Sequence, residues 1–391
     1  MTLRPNVRLQ TIAGWEVTAD LGVPSQPDPE LYAEIVDRAV NEVGITRLRL
    51  EVRSGMEQPD SGFRAYADGS ITNDEWRPVR YVTINDNDDP YTINEAGFDF
   101  SELDHNVQAA VLPVKRALEA RGQTLFLNIC YVAFIRQAGP GLEYVHDDPE
   151  EYAEFVLAAH RYLDETYGLR PDTWEVILEP DTDDASQNWD GRQIGRLIAA
   201  AGRRLDEAGY ATRFIAPSTT NMANAPHYFD GILDTPGAVE RIAELSYHRY
   251  SGVSGDAFRA ITARKREHGI QTSMLELWFG WGDYNVLHQD LEEGQVSAWQ
   301  GRVLRGLFDV VTDADGRERT ELREDMHFNR QYFYYVRPGA VRIDAAVSRD
   351  PFSGPFDPLA FVNPDGGYVV VANAEHAGAL SVAGLPPGRY R

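Results

Sequence analysis

Two glutamates stand near the ends of apolar, β-branched runs: Glu179 in TWEVILEP (173–180) and Glu276 in QTSMLELW (271–278). A strand sends alternate side chains to opposite faces. In the first run Trp174, Val176 and Leu178 form one set and Glu175, Ile177 and Glu179 the other. The bulky set should face a layer of helices, which sends Glu179 inward at the C-terminal end of its strand. The same reasoning puts Met274, Glu276 and Trp278 inward. A carboxylate among Met274, Leu275, Leu277 and Trp278 is costly to desolvate unless partnered. Two carboxyls facing one hollow are what glycosidic cleavage needs: one donates a proton to the leaving oxygen while the other stays ionised beside the anomeric carbon. For each glutamate taken singly, an ion pair with a neighbouring Arg is the competing explanation.

Partners for them are visible. In TRLRLEVR (46–53), Leu48, Leu50 and Val52 take the helix-facing side, leaving Arg47, Arg49, Glu51 and Arg53 inward. An interior Arg beside a carboxylate lowers its pKa, and Arg49 or its neighbour would do this for Glu276. Arg47 and Arg53 read equally as members of a structural Arg–Glu network. In SYHRY (246–250), Ser246, His248 and Tyr250 share a face, placing His248 and Tyr250 to orient the nucleophile or touch a sugar. Flat side chains stack on the C–H faces of sugars, and the loop-borne Trp76, Trp189, Trp278 and Trp281 are candidates for that. Asn128, within TLFLNICYV (124–132), completes the expected substrate contacts.

Other chemistries find little support. NDNDD (85–89) and DTDD (181–184) offer hard oxygen ligands but lack the spacing, central Gly and closing Glu of a calcium loop, so they read as solvated acidic loops. None of the nine histidines forms an HxH or HExxH pair, and a phosphate-cradling glycine loop is missing. No metal or cofactor is expected. The single Cys130 excludes an internal disulfide and cysteine-built zinc sites. With 37 basic and 61 acidic residues, a net charge of −24, the chain is a poor ligand for nucleic acid. No apolar run reaches the roughly 18 residues of a membrane span. MTLRPNVRLQ lacks a signal-peptide core, which as written places the chain in the cytoplasm, or outside it if a leader is removed.

The elements that must hold these residues alternate along 13–335. Candidate strands are 14–19, 46–52, 124–132, 173–180, 213–218, 243–250 and 271–278, with an eighth expected somewhere in 308–325. Between them lie helical stretches such as PELYAEIVDRAVNEVG (29–44), opened by Asp28 and Pro29 and closed by Gly44. From Trp174 to Phe214, Leu245 and Leu275 the steps are 40, 31 and 30, near the ~31 residues of one unit of a (β/α)8 barrel. Catalytic groups of such barrels sit at the C-terminal strand ends, and Glu179 and Glu276, 97 residues apart, then belong to the fourth and seventh strands. The insertion 54–100, with Trp76, Tyr81 and Tyr91, becomes a substrate-facing wall. After Pro338 the period changes to two, in 341–347, 359–363, 368–373 and 380–385: a small β-domain whose last turn, GLPPGRYR, reads as cut short at Arg391.

RLQTIAGWEV near the start, LEPD, SYHRY, MLELW and YYVRPGAVRI (334–343) together resemble the clan A glycoside hydrolases, and most nearly family 30. The resemblance implies an α/β fold, a (β/α)8 TIM barrel with a side β-sandwich in which 1–12 pair with the C-terminal tail, so that the domains are 13–335 and 1–12 plus 336–391. It also implies Glu179 as acid/base and Glu276 as nucleophile of a retaining enzyme acting on an oligosaccharide or glycoside. One departure stands out: the clan usually has Asn before the acid, in contact with the sugar 2-hydroxyl, and this chain has Leu178. Either another residue such as Asn188 substitutes, or the sugar differs at that carbon, or the acid lies elsewhere. A transglycosylase using the same glutamates, an inverting enzyme and a catalytically silent carbohydrate-binding barrel are the rivals.

Overall fold

In the computed structural model, residues 1–22, 28–139, 144–182, 189–347, 358–372 and 379–390 are described. After an N-terminal strand β1 (Thr2–Thr11), parallel strands β2 (Gly14–Thr18), β3 (Arg47–Arg53), β4 (Phe126–Val132), β5 (Thr173–Glu175), β6 (Arg213–Asn221), β7 (Ile242–Ser251), β8 (Gln271–Glu276) and β9 (Ala298–Val303) close into an eight-stranded barrel, β9 pairing back onto β2. The helix expected over 29–44 starts where Asp28 accepts from the Leu31 amide, runs as Pro29–Arg38 and ends through a wider turn, Ala39–Val43, at Gly44. Gly44 has φ +94, a conformation that costs Gly little, and a Cβ there would meet the Phe333 carbonyl.

The eighth barrel strand is β9, not the expected stretch within 308–325. That stretch folds as a hairpin of β10 (Phe308–Thr312) and β11 (Glu318–Leu322) beside the barrel. AWQGRV is a poor strand by propensity; it is held extended because β2 and β8 pair with it on either side.

Below the mouth the barrel interior is ionic. Arg47, fully buried, reaches Glu16 at 2.9 Å and Glu244 at 2.6 Å. Asn128 lies in the same interior, donating to Glu175 at 3.3 Å and accepting from Thr173 at 3.0 Å. It is fully buried, with both amide ends engaged, and so it does not reach the cleft as a substrate contact.

After the barrel, β12 (Val341–Ala346), β13 (Leu359–Val362) and β14 (Tyr368–Val371) join β1 in an antiparallel sheet ordered β1-β12-β13-β14. One face, through Leu359, Phe361 and Val371, merges with the barrel core; the other, through Leu3, Ile343 and Ala360, is covered by Val382 and Leu385. The stretch 380–385, expected as a strand, contributes only the bridge of Ala383 to Thr2. VRPG is the hinge between the units: Trp15 donates to the Val336 carbonyl at 2.6 Å, and Arg337 donates to the carbonyls of Phe333 (2.6 Å) and Gly44 (3.0 Å). Among the described residues, no helix is long and apolar enough to cross a membrane.

Candidate active site

Glu276 reaches the mouth through an irregularity. Tyr247 of β7 pairs with Met274, but the next residue, His248, pairs with Glu276, so Leu275 is an extra residue in β8. Leu275 packs inside the barrel with Ile215 and Ala298, whereas Met274 joins the helix-facing core. Met274 is therefore not inward, as strict alternation requires, and the bulge is what re-aims Glu276 into the hollow. There Oε2 is 2.5 Å from Nη2 of Arg49, and Oε1 accepts from the Tyr250 hydroxyl at 2.9 Å. Arg49 is fully buried, also reaches Glu51 and the Leu275 carbonyl at 3.4 Å, and lies 5.5 Å from the Trp278 ring centroid.

Glu179 arrives by a different route. β5 ends at Glu175, only three residues long, so alternation does not extend to Glu179. Instead the amides of Leu178 and Glu179 bond to the carbonyls of Tyr131 (2.9 Å) and Ser218 (3.1 Å). Glu179 takes φ +52, as does Ser218. A left-handed conformation outside Gly costs on the order of 1–3 kcal/mol and concentrates at functional sites. The turn moves Leu178 away from the helices: it packs with Tyr81, Cys130 and Val132 on the cleft wall, contrary to the helix-facing position that alternation predicts.

Nδ1 of His248 is 2.8 Å from Oε1 of Glu179. One ligand atom from each of Glu179, His248 and Glu276 lies within 4.8 Å of the other two. Burial pushes the His248 pKa below its ordinary value, so at neutral pH the ring is uncharged, with one nitrogen toward Glu179. The Glu276 carboxyl is pushed up, first by burial and further by the neighbouring Glu179, against the pull of Arg49. The Tyr250 hydroxyl, desolvated beside Glu276, is pushed up as well and stays a donor. Such a trio of ligand atoms has the spacing of a cation site, but both Glu276 oxygens are already held, by Arg49 and Tyr250. The positive charge at this centre is a fixed guanidinium.

The carboxyls open into a cleft of about 460 Å³. Tyr81, Val132, Phe134 and Leu178 form an apolar wall beside Glu179, and Trp278 and Phe279 line the side of Glu276. Trp281 is 58% exposed at the rim, its ring 5.8 Å from that of Tyr250. Trp189, expected as a stacking residue, is buried in the core, donating to Asp147 and stacked at 6.3 Å on Tyr131. Trp76 is likewise buried, bonded to the Ser61 carbonyl and stacked on Tyr66. The insertion is a wall only in part: Arg80 and Tyr81 line the cleft, while Pro90 and Tyr91 pack on Arg204 of the helix Gly191–Glu207. Asn188 lies outside the described residues, as do 183 and 184 of the DTDD run. Asp20 and Phe134, which also line the cleft, went unmarked in the sequence; Asp20 follows GWEVTA directly, at the mouth end of β2.

A barrel of this topology with a side sheet built from both chain ends is similar in fold to solved family 30 glycoside hydrolase structures. The catalytic domain of GH30 xylanase C from Talaromyces cellulolyticus aligns at TM-score 0.63 and 16% identity, over 95% of this chain and 86% of that one. A GH30 endoxylanase from Clostridium papyrosolvens C71 aligns at 0.62 and 16%, over 95% and 83%. An endo-β1,6-glucanase aligns at 0.66 and 15%, over 98% and 88%. At these identities the likeness is one of fold. No protein-family model and no curated protein matches the chain.

Arg49 gives a first prediction. Removing its charge in Arg49→Met takes away the largest opposition to the burial that raises the Glu276 pKa. If Glu276 acts as a nucleophile it must be ionised, so the acidic limb of the pH profile of kcat/KM should move to higher pH, with the loss of activity greatest on the acidic side. An unmoved limb in the folded variant would mean that Arg49 does not control this carboxyl.

Proposed function

We propose that this chain is a retaining β-glycosidase working through a covalent glycosyl-enzyme intermediate. The observation that carries the reading is the approach of the Glu179 and Glu276 carboxyls, with oxygens within 4.8 Å. Retaining enzymes hold these groups ~5–5.5 Å apart, and an inverting pair needs ~6.5–9.5 Å to seat a water between them. Glu276, ionised against Arg49, attacks the anomeric carbon, and Tyr250 holds its second oxygen on line. Glu179 protonates the leaving oxygen; once the aglycone departs, it takes a proton from the incoming water. His248, uncharged, orients Glu179 through Nδ1.

The substrate class is a β-linked glycan, in keeping with the xylanases and the β1,6-glucanase that share the fold. Trp278, Phe279 and Trp281 supply stacking surface for its rings. Beside Glu179 the side chains of Leu178, Val132 and Phe134 form an apolar wall, and the Tyr81 hydroxyl there accepts from Arg53 at 3.0 Å. A sugar in that position is gripped by shape and by its other hydroxyls.

The test is a set of 2-deoxy-2-fluoro β-glycosides with good leaving groups, spanning the common hexoses and xylose. One of them should add a single fluoroglycosyl mass to the protein, on the peptide that contains Glu276. Labelling of a different carboxylate, or of nothing by any of the set, overturns the proposal.

A further inference from the structure

β6 outruns its neighbour. β5 pairs with it only as far as Glu175 on Ile215, whereas β6 continues to Asn221. The Ser218 carbonyl still takes the Glu179 amide at 3.1 Å, but among the described residues no strand of β5 lies beside the amides that follow. The register against β7 slips there too, with Thr219 opposite Tyr247 and Asn221 opposite Ser251. A regular strand points neighbouring amides to opposite edges. With the ladder broken, the amides of Thr220 and Asn221 both turn to one side chain, the carboxylate of Asp181. Its Oδ1 accepts from Thr220 at 2.7 Å, and its Oδ2 from Asn221 at 3.1 Å and from Nδ2 of Asn224 at 2.8 Å. A carboxylate that collects three N–H donors from one segment is a charge-assisted anchor, stronger than a bond between neutral groups.

Asp181 stands two residues from Glu179, across Pro180, whose ring fixes its own φ. The main chain of Glu179 is itself held on both sides: its amide donates to Ser218, and its carbonyl accepts from the Thr182 amide at 3.1 Å. A left-handed conformation outside Gly persists only where the surroundings over-determine it, and Glu179 has φ +52. Those two bonds fix the peptides flanking Glu179. The grip of Asp181 on 220–224 fixes where the chain goes next, and so keeps the turn from relaxing. We infer that Asp181 is a positioning residue for the acid/base: its carboxylate clamps the turn to the end of β6 and holds Glu179 with its carboxyl on His248. The inference rests on the reading of Glu179 as proton donor. Both oxygens of Asp181 are taken, so it acts through Glu179 and not on the sugar. The clamp also ties together Thr182 and Thr220, which line the cleft beside Glu179. DTDD, read in the sequence as a solvated acidic loop, thus begins with a side chain that is committed to the neighbouring strand.

The experiment compares kcat/KM of the full chain and of Asp181→Asn over aryl β-glycosides of the sugar that wild type hydrolyses, with leaving groups from dinitrophenol to unsubstituted phenol. The amide keeps the size of the side chain but sets an NH2 group against one of the three donors, so the clamp opens. Misplacing a catalytic group by about 1 Å can cost roughly 10²-fold. The phenyl glycoside, which must be protonated as it leaves, should therefore lose about 10²-fold, and the dinitrophenyl glycoside under about threefold. Asn224→Ala, which removes one donor and touches neither glutamate, should steepen the dependence on leaving group in the same direction, with about a tenfold loss on the phenyl glycoside. A residue that only stabilised the fold would slow every substrate alike. An equal loss across the series in both folded variants, or no loss on the phenyl glycoside, overturns the inference. So does a crystal structure of Asp181→Asn in which Glu179 keeps its φ and its bond to His248. A Glu179→Ala protein that shows no dependence on leaving group would sink the proton-donor reading and the inference with it, whereas that dependence in Glu179→Ala without it in Asp181→Asn sinks the clamp alone.

Discussion

Glu276→Gln is expected to lower kcat by about 10⁴-fold or more on every substrate the wild type hydrolyses, in line with the loss of an essential covalent nucleophile. The substitution is nearly isosteric. The amide oxygen still accepts from Arg49 or Tyr250, each of which lies within 2.9 Å of a carboxyl oxygen now, so the local shape is kept. What disappears is the negative charge that, in the proposed mechanism, attacks the anomeric carbon. Arg49 keeps Glu51 at 3.4 Å as a counter-ion, so the barrel should still close, though with lower stability because its nearer partner is gone. Circular dichroism and substrate-binding titration should therefore report a folded protein that binds but does not turn over. Residual activity above about 1% of wild type in that folded variant would place the nucleophile elsewhere.

Where backbone geometry is regular, the sequence shows this site plainly. β3 and β7 keep alternation as far as Arg53 and Tyr250, so Arg49, His248 and Tyr250 could be placed inward from residue order alone, and they are found on the two glutamates. Glu179 and Glu276 reach the barrel mouth for reasons that alternation does not contain. One depends on a left-handed residue beyond a three-residue strand, the other on an extra residue in β8. Neither has a local signature, since Glu is an ordinary residue with no special preference for φ +52. The same departure brought Leu178 to the cleft wall. β9 has no clear strand signature, because AWQGRV contains Gln, Gly and Arg and is extended only by its neighbours, while the more strand-like 308–322 has no place left in a closed barrel and pairs with itself. Trp189 and Asn128 show the converse: a loop Trp and a strand Asn look available in sequence, but Asp147, Tyr131, Thr173 and Glu175, all remote in the chain, had already claimed them.

Removal of the second carboxyl should give a defect that depends on the leaving group. For Glu179→Ala, glycosides with poor leaving groups should lose about 10²–10⁴ in kcat/KM, the usual contribution of a positioned proton donor, whereas a dinitrophenyl glycoside, which departs without protonation, should form the intermediate almost as fast as with wild type. Its breakdown then lacks a base, so kcat falls for both and the intermediate accumulates as a burst. Azide needs no deprotonation. Where Glu179 has been cut back, the space next to His248 can admit it, and turnover on the dinitrophenyl substrate should recover with release of a β-glycosyl azide. The stereochemistry decides the mechanism. Two displacements through Glu276 leave the β configuration, so an α-azide would mean a single displacement and an inverting enzyme, and the absence of any rescue would mean that Glu179 is not the group that handles the proton. Because burial keeps His248 uncharged, it is not expected to substitute as acid. The limb of the pH profile that reports the proton donor should accordingly vanish in Glu179→Ala, and not merely shift.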